Sequence, residues 1–300
     1  MAEGSPWMVA IVLNKYLLYL AIAAGAGSAF MLTQAQASLL NPFSWRYGVY
    51  SSVLGLVLAI VDFFLQVGLF ADAGLAGLAD SNYIAMIWDA PLGWQLVFRV
   101  LGFLLLLLVI GWSWKQRQAL HWQGLLASVL ALTLLCYAGL HAGHTVEHAA
   151  WVHWALSFHF VIGLWWMGCL LPLALSCKSL ALPDLQVLME RFGTIASFLV
   201  PILLLAGVAL AYALTGTWYH LFTSPHGQLL LAKIALVAGL LGLAAYHKLR
   251  LVPRLTVFQK AQTLQRSIYY EMGLGGLVLL ITVLVSSVFG PAMMMMSMNQ

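Results

Sequence analysis

The chain has 300 residues, 63% of them apolar or aromatic and only 7% charged, with a formal charge of +4. So small a charged share excludes an ordinary water-facing surface. The cations sit in short loops between apolar runs rather than in one basic patch, which excludes a nucleic-acid partner.

A bilayer core about 30 Å thick is crossed by about 20 residues of helix, in which every backbone polar group is bonded internally. Eight runs meet this, at 9–32, 48–71, 93–112, 122–140, 153–176, 193–214, 229–246 and 272–289. The expectation is an all-α, polytopic membrane protein: a bundle of about eight transmembrane helices forming a single transmembrane domain over 1–300.

The first run follows MAEGSPWM, which carries Glu3 and no cation, so it is expected to be retained as an anchor rather than removed as a signal. It holds Lys15, and Gly25 and Gly27 within it allow a close helix approach. The second run holds Asp62, and the segment after it brings Asp72, Asp80 and Asp89, which are hard oxygen donors. Arg99 lies in the third run and Lys233 in the seventh. An ionised group at a helix centre costs roughly 2.5–3.5 kcal/mol on insertion scales, so these four need an offset. Asp62 could pair with one of the cations while the others snorkel; the alternative is a role in moving protons or cations through that half of the bundle.

Between the fourth and fifth runs lies the densest cluster, HAGHTVEHAAWVHWALSFH, with His141, His144 and His148 at spacings of three and four. If this segment is helical, the three rings share one face. Neutral imidazoles serve copper and zinc, and two or three converging rings make a site. His159 lies about two turns into the fifth run, where it is either a ligand at the mouth of a pathway or a core histidine bonded to a carbonyl or hydroxyl of a neighbouring helix. The last eight residues, MMMMSMNQ, supply Met293, Met294, Met295, Met296 and Met298, whose thioethers select Cu(I). Gly273, Gly275 and Gly276 in the last run are a second small-residue stretch. Cys136, Cys169 and Cys177 form no CxxC pattern and read as packing residues.

Ten cations, Arg46, Lys115, Arg117, Lys178, Arg191, Lys248, Arg250, Arg254, Lys260 and Arg266, fall in alternate loops, and the intervening loops and both tails contain none. By the positive-inside rule these mark the cytoplasmic side, with both termini on the opposite, periplasmic side. Six histidines and the methionine tail then lie on the outer side. Trp7, Trp88, Trp94, Trp112, Trp114, Trp122, Trp151 and Trp218 sit near span ends, where indoles favour the headgroup level. Dinucleotide, P-loop, HExxH and GxSxG patterns are absent, so no catalytic residue is assigned.

The stretch GLHAGHTVEHAAWVHWALSFHFVIGLWWMGCLLPL resembles the central motif of the CopD/PcoD (YebZ-like) copper-resistance membrane proteins, in which one helix carries His, Trp, a small-residue pair and Leu-Pro. The matching positions are His159, Trp166, Gly168 with Cys169, and Leu171 with Pro172. SPHGQLLLAKIALVAGLLGLAAYHKLRLVPRL adds Gly227, Lys233, Pro253 and Arg254, and the last helix runs from Glu271 to Pro291. The likeness is strongest from about residue 139 onward. Two positions depart from the pattern: the usual Gly-Gly is Gly168-Cys169, which alters helix contact or adds a soft ligand, and an expected Asn-Arg is His247-Lys248, which leaves the role of that pair open.

The resemblance implies copper handling at the inner membrane, with uptake from the periplasm alongside a CopC-like copper-binding protein. On that reading His141, His144 and His148 capture a copper ion, as Cu(I) or Cu(II), His159 passes it inward, and the methionine tail assists. Two other readings stay open: a redox protein holding haem b between histidines, and a non-conducting docking partner of a periplasmic copper protein.

Overall fold

In lipid, an apolar run can satisfy its backbone only as a helix or in a closed barrel. The computed structural model of the protein describes residues 6–141, 150–215, 225–255 and 257–287 and contains no strand among them. Its helices are α1, Pro6–Leu32; α2, Asn41–Ala71; α3, Ser81–Asp89; α4, Pro91–Gln116; α5, Trp122–Tyr137; α6, Ala150–Ser179; α7, Leu182–Thr215; α8, Pro225–Tyr246; and α9, Phe258–Ser287. Seven of them are long and apolar enough to cross a bilayer, and the remaining expected span is the shorter apolar α5. The 16 residues of α5 reach about 24 Å, and the single 3₁₀ turn Ala138–His141 adds about 8 Å.

Three helices begin well before their apolar runs. The second starts at Asn41 rather than near 48, α7 at Leu182 rather than near 193, and the last at Phe258 rather than near 272. Hydropathy senses only the part that meets lipid, whereas residues 258–271 are helical because they dock on the bundle. Leu264 and Ile268 are buried there, and the Gln265 amide donates to the Ala174 carbonyl at 2.7 Å.

The helix α1 packs between α2 and α6; α4 covers α2 and carries α5; α7 and α9 cover α6, and α8 leans on α9. The contact of α1 with α6 is the tightest. The position a Cβ would take on Gly27 is filled by the carbonyl of Gly168, and a Cβ on Gly168 would meet the carbonyl of Ala23. Only glycine lets two backbones approach so closely. Pro172, inside α6, has no N–H to offer the carbonyl four residues earlier, which is that of Gly168. The carbonyl turned toward α1 is therefore one that α6 does not use.

Apolar side chains also cover the outside, as lipid requires: on α7, Phe198 is 73% exposed and Leu205 72% exposed. Trp88, Trp94, Trp112, Trp122 and Trp151 are exposed near helix ends, matching a headgroup-level belt. The three cysteines are buried and unpaired, packed among apolar side chains.

Contacts between helix ends establish two faces. On one, Leu120 N–H donates to the Leu32 carbonyl at 2.9 Å, the Trp45 indole donates to Ser113 Oγ at 2.9 Å, and Arg191 donates to Gln34 Oε1 at 3.4 Å. Arg117 stacks over the ring of Trp45, and Lys248 donates to the hydroxyl of Ser197. Loop cations collect on this basic face. On the other, the Trp7 indole donates to the Leu65 carbonyl at 3.0 Å and Lys15 meets the end of α9. The histidine-bearing ends of α5, α6 and α8 belong to that second face.

Candidate functional site

Polar groups inside the spans gather at three places. At the first, on the histidine face, His159 is half-buried on α6 and its Nδ1 lies 3.0 Å from the Leu203 carbonyl of α7. A carbonyl only accepts, so Nδ1 donates to it, and in the neutral ring Nε2 then keeps its lone pair. Gly207, one turn further along α7, makes room for the ring: a Cβ there would sit 3.1 Å from His159 Cε1 and 3.4 Å from Nδ1. Lys233 on α8 is half-buried and near enough for its charge to be felt at His159. The carbonyl bond is what a core histidine would make, and it is also how a metal-binding histidine is held, with one nitrogen fixed by a backbone acceptor and the other presented.

The second place lies between α2 and α4. Arg99 Nη1 donates to Asp62 Oδ2 at 2.5 Å, with both side chains only 6% exposed. Asn14 of α1 donates to the other carboxylate oxygen at 3.3 Å and to the Leu58 carbonyl at 3.1 Å. Gln66 and Gln95 line the small space beside the pair. Asp62 thus finds its cation in Arg99. Lys15 instead reaches along α1 to Ser286 Oγ at 2.9 Å and Ser287 Oγ at 3.4 Å, where α9 ends.

The third was not assigned as a site from sequence. Glu271, 2% exposed, accepts from the Trp166 indole at Oε1, 2.8 Å away, while its Oε2 lies 3.1 Å from His247 Nδ1. The other ring nitrogen of His247 lies 2.7 Å from Ser267 Oγ. Two positions that carry the family likeness, Trp166 and Glu271, and one where the chain departs from it, His247, therefore form one buried network joining α6, the end of α8 and α9. His247 opens the π-type turn His247–Leu251, whose wider helix departs from the α path and brings the ring to Glu271. The signal in the sequence was a lone acid between Tyr270 and Met272, facing a histidine one hairpin earlier.

Among the described residues, no group of three or more His, Cys, Asp or Glu side chains converges to hold a metal ion. His144, His148, Met293, Met294, Met295, Met296 and Met298 lie outside the described residues, and of His141 only the backbone is described, at the end of the turn after α5. Of the expected oxygen donors after α2, Asp80 caps α3 by accepting from Asn82 N–H at 2.9 Å, and Asp72 ends α2 with φ 47°.

No curated protein and no solved structure matches the chain. Residues 186–285, from near the start of α7 almost to the end of α9, match a family model. That segment holds Lys233, His247, Pro253, Arg254 and Glu271, whereas the His159–Pro172 motif of α6 precedes it. The matched family is described as copper resistance protein D, CopD, and the match, over about one third of the chain, supports the membership in the CopD copper-resistance family that the motifs of α6, α8 and α9 suggest.

Proposed function

We propose that the protein moves copper across the bacterial inner membrane, receiving the ion on its histidine-bearing, periplasmic face and releasing it at the basic, cytoplasmic face. His141, His144 and His148 capture the ion, His159 passes it into the bundle, and Met293–Met296 with Met298 offer soft ligands to Cu(I). A CopC-like periplasmic protein is the donor. The observation that carries this reading is His159: half-buried within a span, with Nδ1 engaged by the Leu203 carbonyl and Nε2 left as a donor to a metal.

The route is placed along α6, α7 and α8 rather than between α2 and α4. Between α2 and α4, Asp62 already has its oxygens occupied by Arg99 and Asn14, which leaves neither of them as a ligand for an ion. That pair is read as a strut.

Copper flux into proteoliposomes holding the purified chain tests the proposal, comparing the wild type with H159A and with the triple variant H144A/H148A/H159A. Flux in the triple variant should fall at least about tenfold. Undiminished flux sinks the reading, and copper binding without flux makes the chain a docking partner. An optical spectrum of the same sample with a Soret band and split reduced bands would favour a haem b protein instead.

A further inference from the structure

On the basic face, the end of α8 and the start of α9 enclose a cleft of about 400 Å³ lined by Tyr246, Arg250, Leu251, Arg254, Lys260 and Thr263. Leu251 is buried and forms the floor, and the Tyr246 ring is half exposed at the rim. The two ion pairs found among the described residues, Arg99–Asp62 and His247–Glu271, involve none of the three cations of this cleft. Glu271 is turned inward to Trp166 and His247, and among the described residues neither Glu190 nor Asp184 forms an ion pair with these cations.

Three like charges on one concave surface repel one another, and an anion bound among them would offset that repulsion. The backbone holds them there: Arg250 lies in the π-type turn, Arg254 closes the following 3₁₀ turn Val252–Arg254, and Lys260 begins α9. The place of the cleft selects the anion: it lies where two helices long and apolar enough to cross a membrane, Gly227–Arg254 and Gln259–Ser287, end and begin, so the headgroups of that leaflet are the anions nearest to it. A phosphate there accepts bidentate bonds from arginine and a further bond from the Tyr246 hydroxyl.

We infer that this cleft binds the phosphodiester headgroup of an anionic phospholipid of the phosphatidylglycerol class. Basic pockets between helices on the cytoplasmic side bind such headgroups, at about 1 kcal/mol for each cation near the surface. The inference is independent of the copper reading, since it requires only that this face meet anionic lipid.

The test is lipid retention by the intact chain, released from nanodiscs containing equal phosphatidylglycerol and phosphatidylcholine and weighed by native mass spectrometry. The wild type should keep phosphatidylglycerol with a preference of at least about tenfold, and R250Q/R254Q/K260Q should lose it. Because the triple variant could misfold, K260Q alone is measured beside it and should lose about fivefold. R46Q/K115Q/K178Q, which removes three exposed cations elsewhere on the same face, should keep the full preference. An equal loss in that variant means diffuse surface attraction and overturns the site, as does a wild type that shows no preference. If millimolar inorganic phosphate displaces the lipid from the cleft, the ligand is a soluble anion and the lipid assignment fails.

Discussion

The indole N–H of Trp166 donates to Glu271 across 105 residues of sequence, at 2.8 Å, in a setting from which water is excluded. A buried carboxylate oxygen that loses its donor costs roughly 1–3 kcal/mol. W166F, which keeps an aromatic ring but removes the N–H and leaves part of the indole's space empty, should therefore lower stability by at least about that amount. E271A should cost more, because it orphans Trp166 and His247 together. Thermal unfolding in detergent checks both, and equal melting temperatures for W166F and the wild type would show that the bond contributes nothing.

Breaking the Asp62–Arg99 pair leaves one uncompensated charge among apolar side chains. D62A alone should destabilise by about 3–5 kcal/mol, while the double variant D62L/R99M, which fills the space with apolar atoms, should recover most of that loss. Both are read by unfolding in detergent, and costs that simply add would show that the two side chains do not depend on each other.

A methyl group placed on Gly27 would overlap the Gly168 carbonyl. G27A should force α1 away from α6 at a cost of about 1–3 kcal/mol. G242A on α8, where nothing lies within 4 Å of the added carbon, should be neutral or slightly stabilising. Comparing their melting temperatures separates a packing effect from a general intolerance of alanine.

G207A tests the histidine without touching it. Its Cβ would press on the His159 ring at 3.1 Å, so the imidazole must tilt and its bond to Leu203 lengthen. Under the proposed function, copper flux should fall several-fold while stability changes by less than about 1 kcal/mol. Normal flux through G207A together with an inactive H159A would show that the exact ring orientation is immaterial.

The spans, their alternation and the exposed tryptophans were legible because bilayer thickness and headgroup chemistry act on every residue singly. The need of Asp62 for a cation was legible too, although the choice of Arg99 over Lys15 was not. That choice depends on which helix faces α2, and one sequence carries no pairwise distances. Glu271 shows the same limit more sharply. It read as the start of an apolar helix, whereas it lies well inside α9, beyond a polar segment that stays helical by docking on α6. A residue's hydropathy reports its solvent, and the partner of a buried acid is set by topology.

Pro172 is the kind of residue that ordinarily weakens a helix, and replacing it by alanine would raise the intrinsic helicity of α6 by about 3 kcal/mol. Here the replacement would hand the Gly168 carbonyl a donor from its own helix and draw it away from α1. The better helix former would then make the worse bundle: α6 gains regularity, and the neighbour that rests against its unused acceptor is left with a weaker hold.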